Sequence, residues 1–185
     1  MTAPAPLIYP LAGLLAEPPG TERRYEIHGT TITLPDDLRL TEPIEGRVRV
    51  SRTNRGVIVD GQLSTSVAGS CARCLRDAST PLTVEIHEEV LPSIDFASGR
   101  ALEATDEPEI ARLTDHHELD LGRLAAEAIA LAEPIAALCE PECPGLCTTC
   151  GERRGGGHVE HEEEAIDPRL AALQGFRVDA EGESE

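Results

Sequence analysis

The chain has no lysine and no tryptophan, and its 185 residues include only four Phe or Tyr rings, at Tyr9, Tyr25, Phe96 and Phe176. Large rings dominate most hydrophobic cores, so this core has to be assembled from Val, Leu, Ile and Ala. A core of that kind is modest, which favours an added staple such as a bound metal. The shortage of rings also excludes base stacking as the means of holding nucleic acid. Every one of the 16 basic residues is an arginine, a bias that GC-rich coding explains without a functional cause. Acidic residues number 34, and the formal net charge is −18. That balance excludes a surface that coats nucleic acid as a whole, and it suits solubility or contact with a basic partner.

Targeting and membrane signals are missing as well. The opening Met1-Thr2-Ala3-Pro4-Ala5-Pro6 has no basic residue, and the apolar stretch Leu7 to Leu15 is short and broken by Pro10. Neither a secretory signal nor a membrane span is expected there. The expected location is the cytoplasm, where thiols stay reduced. No Ser/His/Asp set, phosphate-cradling glycine loop or His-Glu-x-x-His pattern occurs. No pair of carboxylates stands out as acid and base. The expectation is a protein without catalytic activity.

Against these absences stand six cysteines in two places, followed by two histidines. The order is Cys71-x2-Cys74, then Cys139-x3-Cys143-x3-Cys147-x2-Cys150, then His158-x2-His161. In a reducing compartment such pairs read as metal ligands before disulfides. Eight soft or borderline donors are enough for two four-coordinate zinc ions. A site closed by four protein ligands contributes folding energy and leaves no position for substrate. One division places Cys71, Cys74, Cys139 and Cys143 on one ion and Cys147, Cys150, His158 and His161 on the other. It is preferred because no ligand is left over. A second division puts Cys71 and Cys74 with Cys147 and Cys150 in a ribbon-like site and leaves Cys139 and Cys143 spare.

The strongest local signal is Gly145-Leu146-Cys147-Thr148-Thr149-Cys150-Gly151, where a small residue after the second Cys lets backbone N–H groups turn to the sulfurs. His158 and His161 follow three glycines, and a solvated Gly-Glu-His tract is the alternative for them. His116 and His117 read as a solvated loop. Redox catalysis by Cys-x2-Cys would need a helix starting at the second Cys, and Cys150 is followed by Gly. Zinc-thiolate redox sensing is the second functional reading.

Strand periodicity places the first cysteine pair on a hairpin. Val48 and Val50 alternate with Arg47 and Arg49, and Thr53-Asn54-Arg55-Gly56 is a turn signal. Val57, Val59, Leu63, Thr65 and Val67 hold one face of a long strand, and Cys71 continues that parity. Leu82, Val84, Ile86 and Val90 form a third run, with a further strand over Arg23 to His28. Asp120 caps a helix whose stripe is Leu121, Leu124, Ala125, Ala128 and Leu131 and which ends at Pro134. The expected architecture is α+β and mainly β: a small antiparallel meander packed on one main helix, with a zinc-stapled C-terminal tail. Residues 1–20 are expected as a Pro-rich docking arm, and 21–178 as a single zinc-binding domain. That domain holds an acidic loop over 93–118 and the ligand-rich tail 139–161. Asp167-Pro168 opens a short helix with Leu170, Leu173 and Phe176 on its apolar edge. Residues 179–185 are expected as a disordered acidic tail.

Charge is divided unevenly along the chain. Between Arg47 and Arg76 lie six arginines and one acid, Asp60, whereas Glu85 to Glu133 carries thirteen acids and three arginines. A planar guanidinium holds two phosphate oxygens at once. Arg47, Arg49, Arg52, Arg55, Arg73 and Arg76 are therefore candidate RNA contacts along a sheet edge. A solvated strand face is the plain alternative, since outward strand positions are often charged.

Three motifs together resemble a known family. They are Cys71-Ala72-Arg73-Cys74-Leu75 behind a β-meander, the Cys-Pro-Gly-Leu-Cys-x2-Cys-Gly run from Cys143 to Gly151, and Ile166-Asp167-Pro168-Arg169-Leu170-Ala171-Ala172-Leu173. They look like the YceD family, whose members are described as large ribosomal RNA subunit accumulation proteins. The resemblance implies a cytosolic, non-enzymatic ribosome biogenesis factor with structural zinc. Its implied partners are large-subunit rRNA or a pre-ribosomal particle, and a small basic large-subunit ribosomal protein. Many relatives carry a second cysteine pair where this chain has His158 and His161, so the second site departs from the family pattern. The first 20 residues lie outside the resemblance.

Overall fold

A computed structural model of the protein describes residues 7–35, 38–96, 98–102, 110–155, 157–159, 161 and 169. The helix expected from Asp167, the tail 179–185 and the centre of the acidic loop lie outside the described residues. The chain divides into two compact units, Met1–Cys143 and Pro144–Glu185.

In the first unit, β1 (Ile8–Pro10) and α1 (Ala12–Leu15) come first, followed by β2 (Glu22–Thr30), β3 (Leu40–Arg52), β4 (Val57–Ser70) and β5 (Asp77–Leu91). Then come β6 (Ala111–Arg112), β7 (Glu118–Asp120) and α2 (Leu121–Leu131). One sheet has the order β2-β3-β4-β5-β6, antiparallel except for the β5–β6 pair. The other sheet is β1 against β7. The expected runs at 47–50, 57–67 and 82–90 fall within β3, β4 and β5.

Parity along the strands decides which side is buried, because successive side chains point to opposite faces. Val48, Val50, Val57, Val59, Leu63, Val67, Val84, Ile86 and Val90 take one face, and none is more than 4% exposed. Each such side chain contributes roughly 1.5–3 kcal/mol by leaving water. Arg47, Arg49, Gln62, Glu85 and His87 stand on the other face, exposed. No ring larger than a tyrosine's is needed: the core cluster is aliphatic throughout, with Tyr9 and Tyr25 half-buried at its margin.

The segment expected as an arm is built into this body. β1 pairs with β7 in the register Tyr9 to Leu119. Leu11, Leu14 and Leu15, spaced to share one side of a helical turn, are buried in the same cluster as the sheet. The stretch 93–118, expected as a loop, is also anchored. Ala111 and Arg112 pair with Val90 and Leu91, and Leu113 is 1% exposed. A two-residue strand has no periodicity to read, so only the lone leucine marked it.

In α2, Asp120 caps the helix by accepting the backbone N–H of Arg123 at 3.0 Å. Leu121, Leu124, Ala125 and Ile129 face the core. Leu131, expected on that stripe, is 90% exposed. At 100° per residue it lies within about 20° of buried Leu124, so rotation is not what exposes it; it is the last residue of the helix. Among the described residues no helix is long and apolar enough to cross a membrane.

Candidate metal centres

The long hairpin of β4 and β5 ends in a six-residue connection that contains Cys71 and Cys74. β4 is 14 residues long, or about 45 Å at the usual rise, so this tip is far from the opposite end of the strand. Cys71 continues the inward parity of Val67 and is fully buried. The backbone closes the tip with two bonds: Leu75 N–H to Cys71 O at 2.9 Å and Cys71 N–H to Arg76 O at 2.8 Å.

The segment after α2 meets this tip. Ala72 donates its N–H to Ala137 O at 2.8 Å. Two residues further on, Cys139 Sγ lies 3.6 Å from Cys74 Sγ, and Cys143 Sγ lies 3.7 Å from Cys71 Sγ. Cys71, Cys74, Cys139 and Cys143 form a group whose ligand atoms all lie within 4.8 Å of one another.

In the second unit, Cys147, Cys150, His158 and His161 form another such group. Gly151 N–H bonds Cys147 O at 2.9 Å and Cys147 N–H bonds Glu152 O at 2.6 Å, which repeats the pattern at Cys71 residue for residue. Leu146 and Arg153 bridge across the knuckle. Cys150 Sγ is 3.3 Å from His158 Nε2.

These separations discriminate between chemistries. A disulfide needs sulfurs at about 2.05 Å, and all six cysteines are free thiols. Four sulfurs at about 2.3 Å from a tetrahedral ion would stand about 3.8 Å apart, and a sulfur–nitrogen pair somewhat closer. The Cys71–Cys143, Cys74–Cys139 and Cys150–His158 pairs have about these spacings. Both groups could hold a metal ion, and the grouping in fours uses every one of the eight residues.

Electrostatics prepare the thiols for the same role, since the thiolate is the metal ligand. The Cys71 thiol is lowered to about 6, first by a backbone hydrogen bond from Cys139 and further by those of Cys74 and Arg73. The Cys147 thiol is lowered to about 6 by the backbone of Cys150, then Thr149, whose N–H lies 3.4 Å from the sulfur. The Cys74 thiol is lowered by the backbone of Arg76. In each knuckle the N–H groups two and three residues after the first Cys point back to its sulfur.

The six arginines do not share one edge. β3 is flanked by β2 and β4, so Arg47 and Arg49 stand on a sheet face instead. Arg49 is held by Asp60 at 3.2 Å and by Glu22 at 3.9 Å. Arg52 is half-buried and donates to the carbonyls of Thr53, Gly56 and Leu15, clamping the β3–β4 turn. Arg55 is exposed on that turn. Arg73 donates to Cys143 O at 3.0 Å, and Arg76 reaches Cys139 Sγ at 3.9 Å. These two arginines face the sulfur group, a role that adjacency to Cys74 alone could have signalled. His116 and His117 join neither group; the His117 ring lies 5.5 Å from Phe96.

Comparison with known proteins adds to this geometry. The family model described as "Large ribosomal RNA subunit accumulation protein YceD" matches residues 59–177. An uncharacterised protein of Mycobacterium bovis is 32% identical over 126 residues, covering 68% of this chain and 58% of its own length. An uncharacterised Mycobacterium tuberculosis protein matches with the same values. One from Mycobacterium leprae is 28% identical over 133 residues, 71% of this chain and 58% of its own length. The chain thus spans less than two thirds of these curated relatives. No solved structure matches it.

Proposed function

The chain belongs to the YceD family, and on that basis we propose that it promotes accumulation of large-subunit ribosomal RNA by binding, as a cytoplasmic assembly factor stabilised by structural zinc. The observation that supports it most is the pair of four-donor groups, each with the spacing of a closed tetrahedral site. Cys71, Cys74, Cys139 and Cys143 would hold one ion and Cys147, Cys150, His158 and His161 the other. The metal would supply folding energy by tying segments together, and four protein donors leave no open position for substrate.

Four thiolates around a divalent ion carry a net charge of about −2. Arg73 and Arg76 are placed to offset it. That leaves Arg47 and Arg55, which are exposed and in no ion pair among the described residues, as the arginines best suited to rRNA phosphate. The strong net negative charge suits a basic large-subunit ribosomal protein as the second partner. The exposure of Cys150, set against the burial of Cys71, favours thiol sensing as a second reading.

The test is depletion followed by complementation. Loss of the protein should lower large-subunit rRNA relative to small-subunit rRNA, and wild type should restore it. The Cys71→Ser/Cys139→Ser variant should not restore it, and Arg47→Glu/Arg55→Glu should leave pre-ribosomal particles on a gradient. An unchanged rRNA ratio on depletion sinks the assembly role. Rescue that fails only under peroxide stress moves the case to thiol sensing.

A further inference from the structure

We infer that the last turn of α2 and the segment following it, together with the Cys71–Cys74 knuckle that segment is bonded to, form a docking surface for a cationic protein segment with apolar anchors. Scattered exposed hydrophobics are ordinary, but three large ones gather on these two connected stretches. Ile135 is 107% exposed, Leu131 90% and Leu75 69%; elsewhere among the described residues Val159 is at 73%, and Ile8, Phe96 and Leu102 are at 42–48%. Ala72 N–H to Ala137 O and the Cys74–Cys139 sulfur pair hold the two stretches side by side.

Leu75 carries a second signal. Its φ is 60°, a left-handed conformation that costs a residue with a Cβ roughly 1–2 kcal/mol. The matching position in the other knuckle is Gly151, with φ 73°. A leucine kept in this strained place and turned to solvent gives the fold nothing, which points to a contact.

Charge names the partner's sign. Glu133, Glu140 and Glu142 are exposed on the same segment, and residues 131–142 contain no basic side chain. The knuckle's own cations, Arg73 and Arg76, are directed at Cys143 and Cys139. Apolar anchors accompanied by carboxylates fit an amphipathic segment rich in Arg or Lys. This rests on the proposed role only for who the partner is; the surface stands without it.

The test uses the full metal-loaded chain and fluorescence anisotropy. The probes are three synthetic peptides of about five helical turns in one pattern: Lys/Leu amphipathic, Glu/Leu amphipathic, and Lys/Ser. The Lys/Leu peptide should bind at least about tenfold more tightly than either control. Leu131→Ser/Ile135→Ser should abolish that preference while leaving Tm unchanged, since both side chains are already in water. Glu133→Gln/Glu140→Gln/Glu142→Gln should weaken it and reduce its salt dependence. Equal binding of Lys/Ser would assign the effect to net charge and overturn the proposal. So would full binding by the Leu131→Ser/Ile135→Ser variant, or a wild-type dimer on sedimentation that this variant dissolves. None of these outcomes depends on rRNA, so a failed complementation and a failed docking surface are told apart.

Discussion

Leu75 donates its backbone N–H to the carbonyl oxygen of Cys71 at 2.9 Å while held at a φ of 60°. The bond closes the knuckle and aims backbone donors at the sulfur, and a glycine would make it without the steric penalty of a Cβ. Leu75→Gly should therefore stabilise the protein by about 1 kcal/mol, a rise in Tm of roughly 2–4 °C for a chain of this size. Leu75→Val should lower Tm, because a branched Cβ worsens the clash. A loss of stability in Leu75→Gly, by thermal melt with metal bound, would mean that the side chain has a packing partner within the fold.

Gly151 is the converse case. Its φ of 73° sits at the same place after Cys150. Gly151→Leu should cost about 1–2 kcal/mol, from the left-handed penalty alone, and should loosen metal retention in the second group. Native mass spectrometry after mild chelation checks this: the variant should hold its second ion less well than wild type. Equal retention would show that the second knuckle relaxes at no cost.

Arg52 and Arg47 separate structural from solvent-facing arginines. Arg52 donates to Gly56 O at 2.9 Å and also to the carbonyls of Thr53 and Leu15. Arg52→Ala should cost about 2 kcal/mol, the usual worth of bonds from a charged donor. Arg47→Ala should stay within about 0.5 kcal/mol, as for most surface changes. Urea unfolding midpoints at a common m-value decide it, and equal midpoints would remove the turn clamp.

Much of this was legible because it depends on spacing. The alternation in Val57, Val59, Leu63, Thr65 and Val67 marks β4 and puts Cys71 on the inward side. Asp120 and the apolar spacing after it mark α2. The eight ligands were visible as residue types, but whether Cys71 and Cys74 meet Cys139 and Cys143 or Cys147 and Cys150 depends on the path after α2, which no local pattern encodes. The arginine cluster read as one surface because the residues are close in sequence. β4 separates its members, with Arg52 and Arg55 at one end and Arg73 and Arg76 at the other. Partners such as Asp60 for Arg49 and Cys143 O for Arg73 are contacts between distant residues. The stripe that runs Leu124, Ala128, Leu131 keeps helical spacing to the end, but spacing does not show that Leu131, the last residue of α2, is exposed, and it passes over the buried Ile129.

His28 provides a pH test away from the thiols. Its pKa is raised above the ordinary 6.5, first by a hydrogen bond with Glu45 at 3.1 Å and then by Glu26. A raised folded-state value means that protonation of His28 supports folding in full below 6.5. That support fades as pH rises through the raised value. NMR titration should show His28 titrating above 6.5, and Glu45→Gln should bring it down. The gain in stability is small, since both groups are exposed and screened. No change on Glu45→Gln would remove the pair as the cause.

The two donor groups should release metal at different rates. In the first, Cys71, Cys74 and Cys143 are at most 5% exposed, and the ligands come from the β4–β5 tip and the segment after α2, so release requires parting two packed stretches. In the second, Cys150 and His161 are exposed and His158 is half-buried, and the ligands follow one another through glycine-rich turns. A competing chelator reaches exposed donors without unfolding, whereas buried thiolates need an opening event. Zinc transfer to a chromogenic chelator should therefore show a fast and a slow phase of equal amplitude. His158→Ala/His161→Ala should delete the fast phase, and Cys139→Ser the slow one. The strand signal in circular dichroism should persist through the fast phase, because no β-strand supplies a ligand to that group. A single phase, or one ion in the wild type, would mean that the four residues from Cys147 to His161 do not form a site of their own.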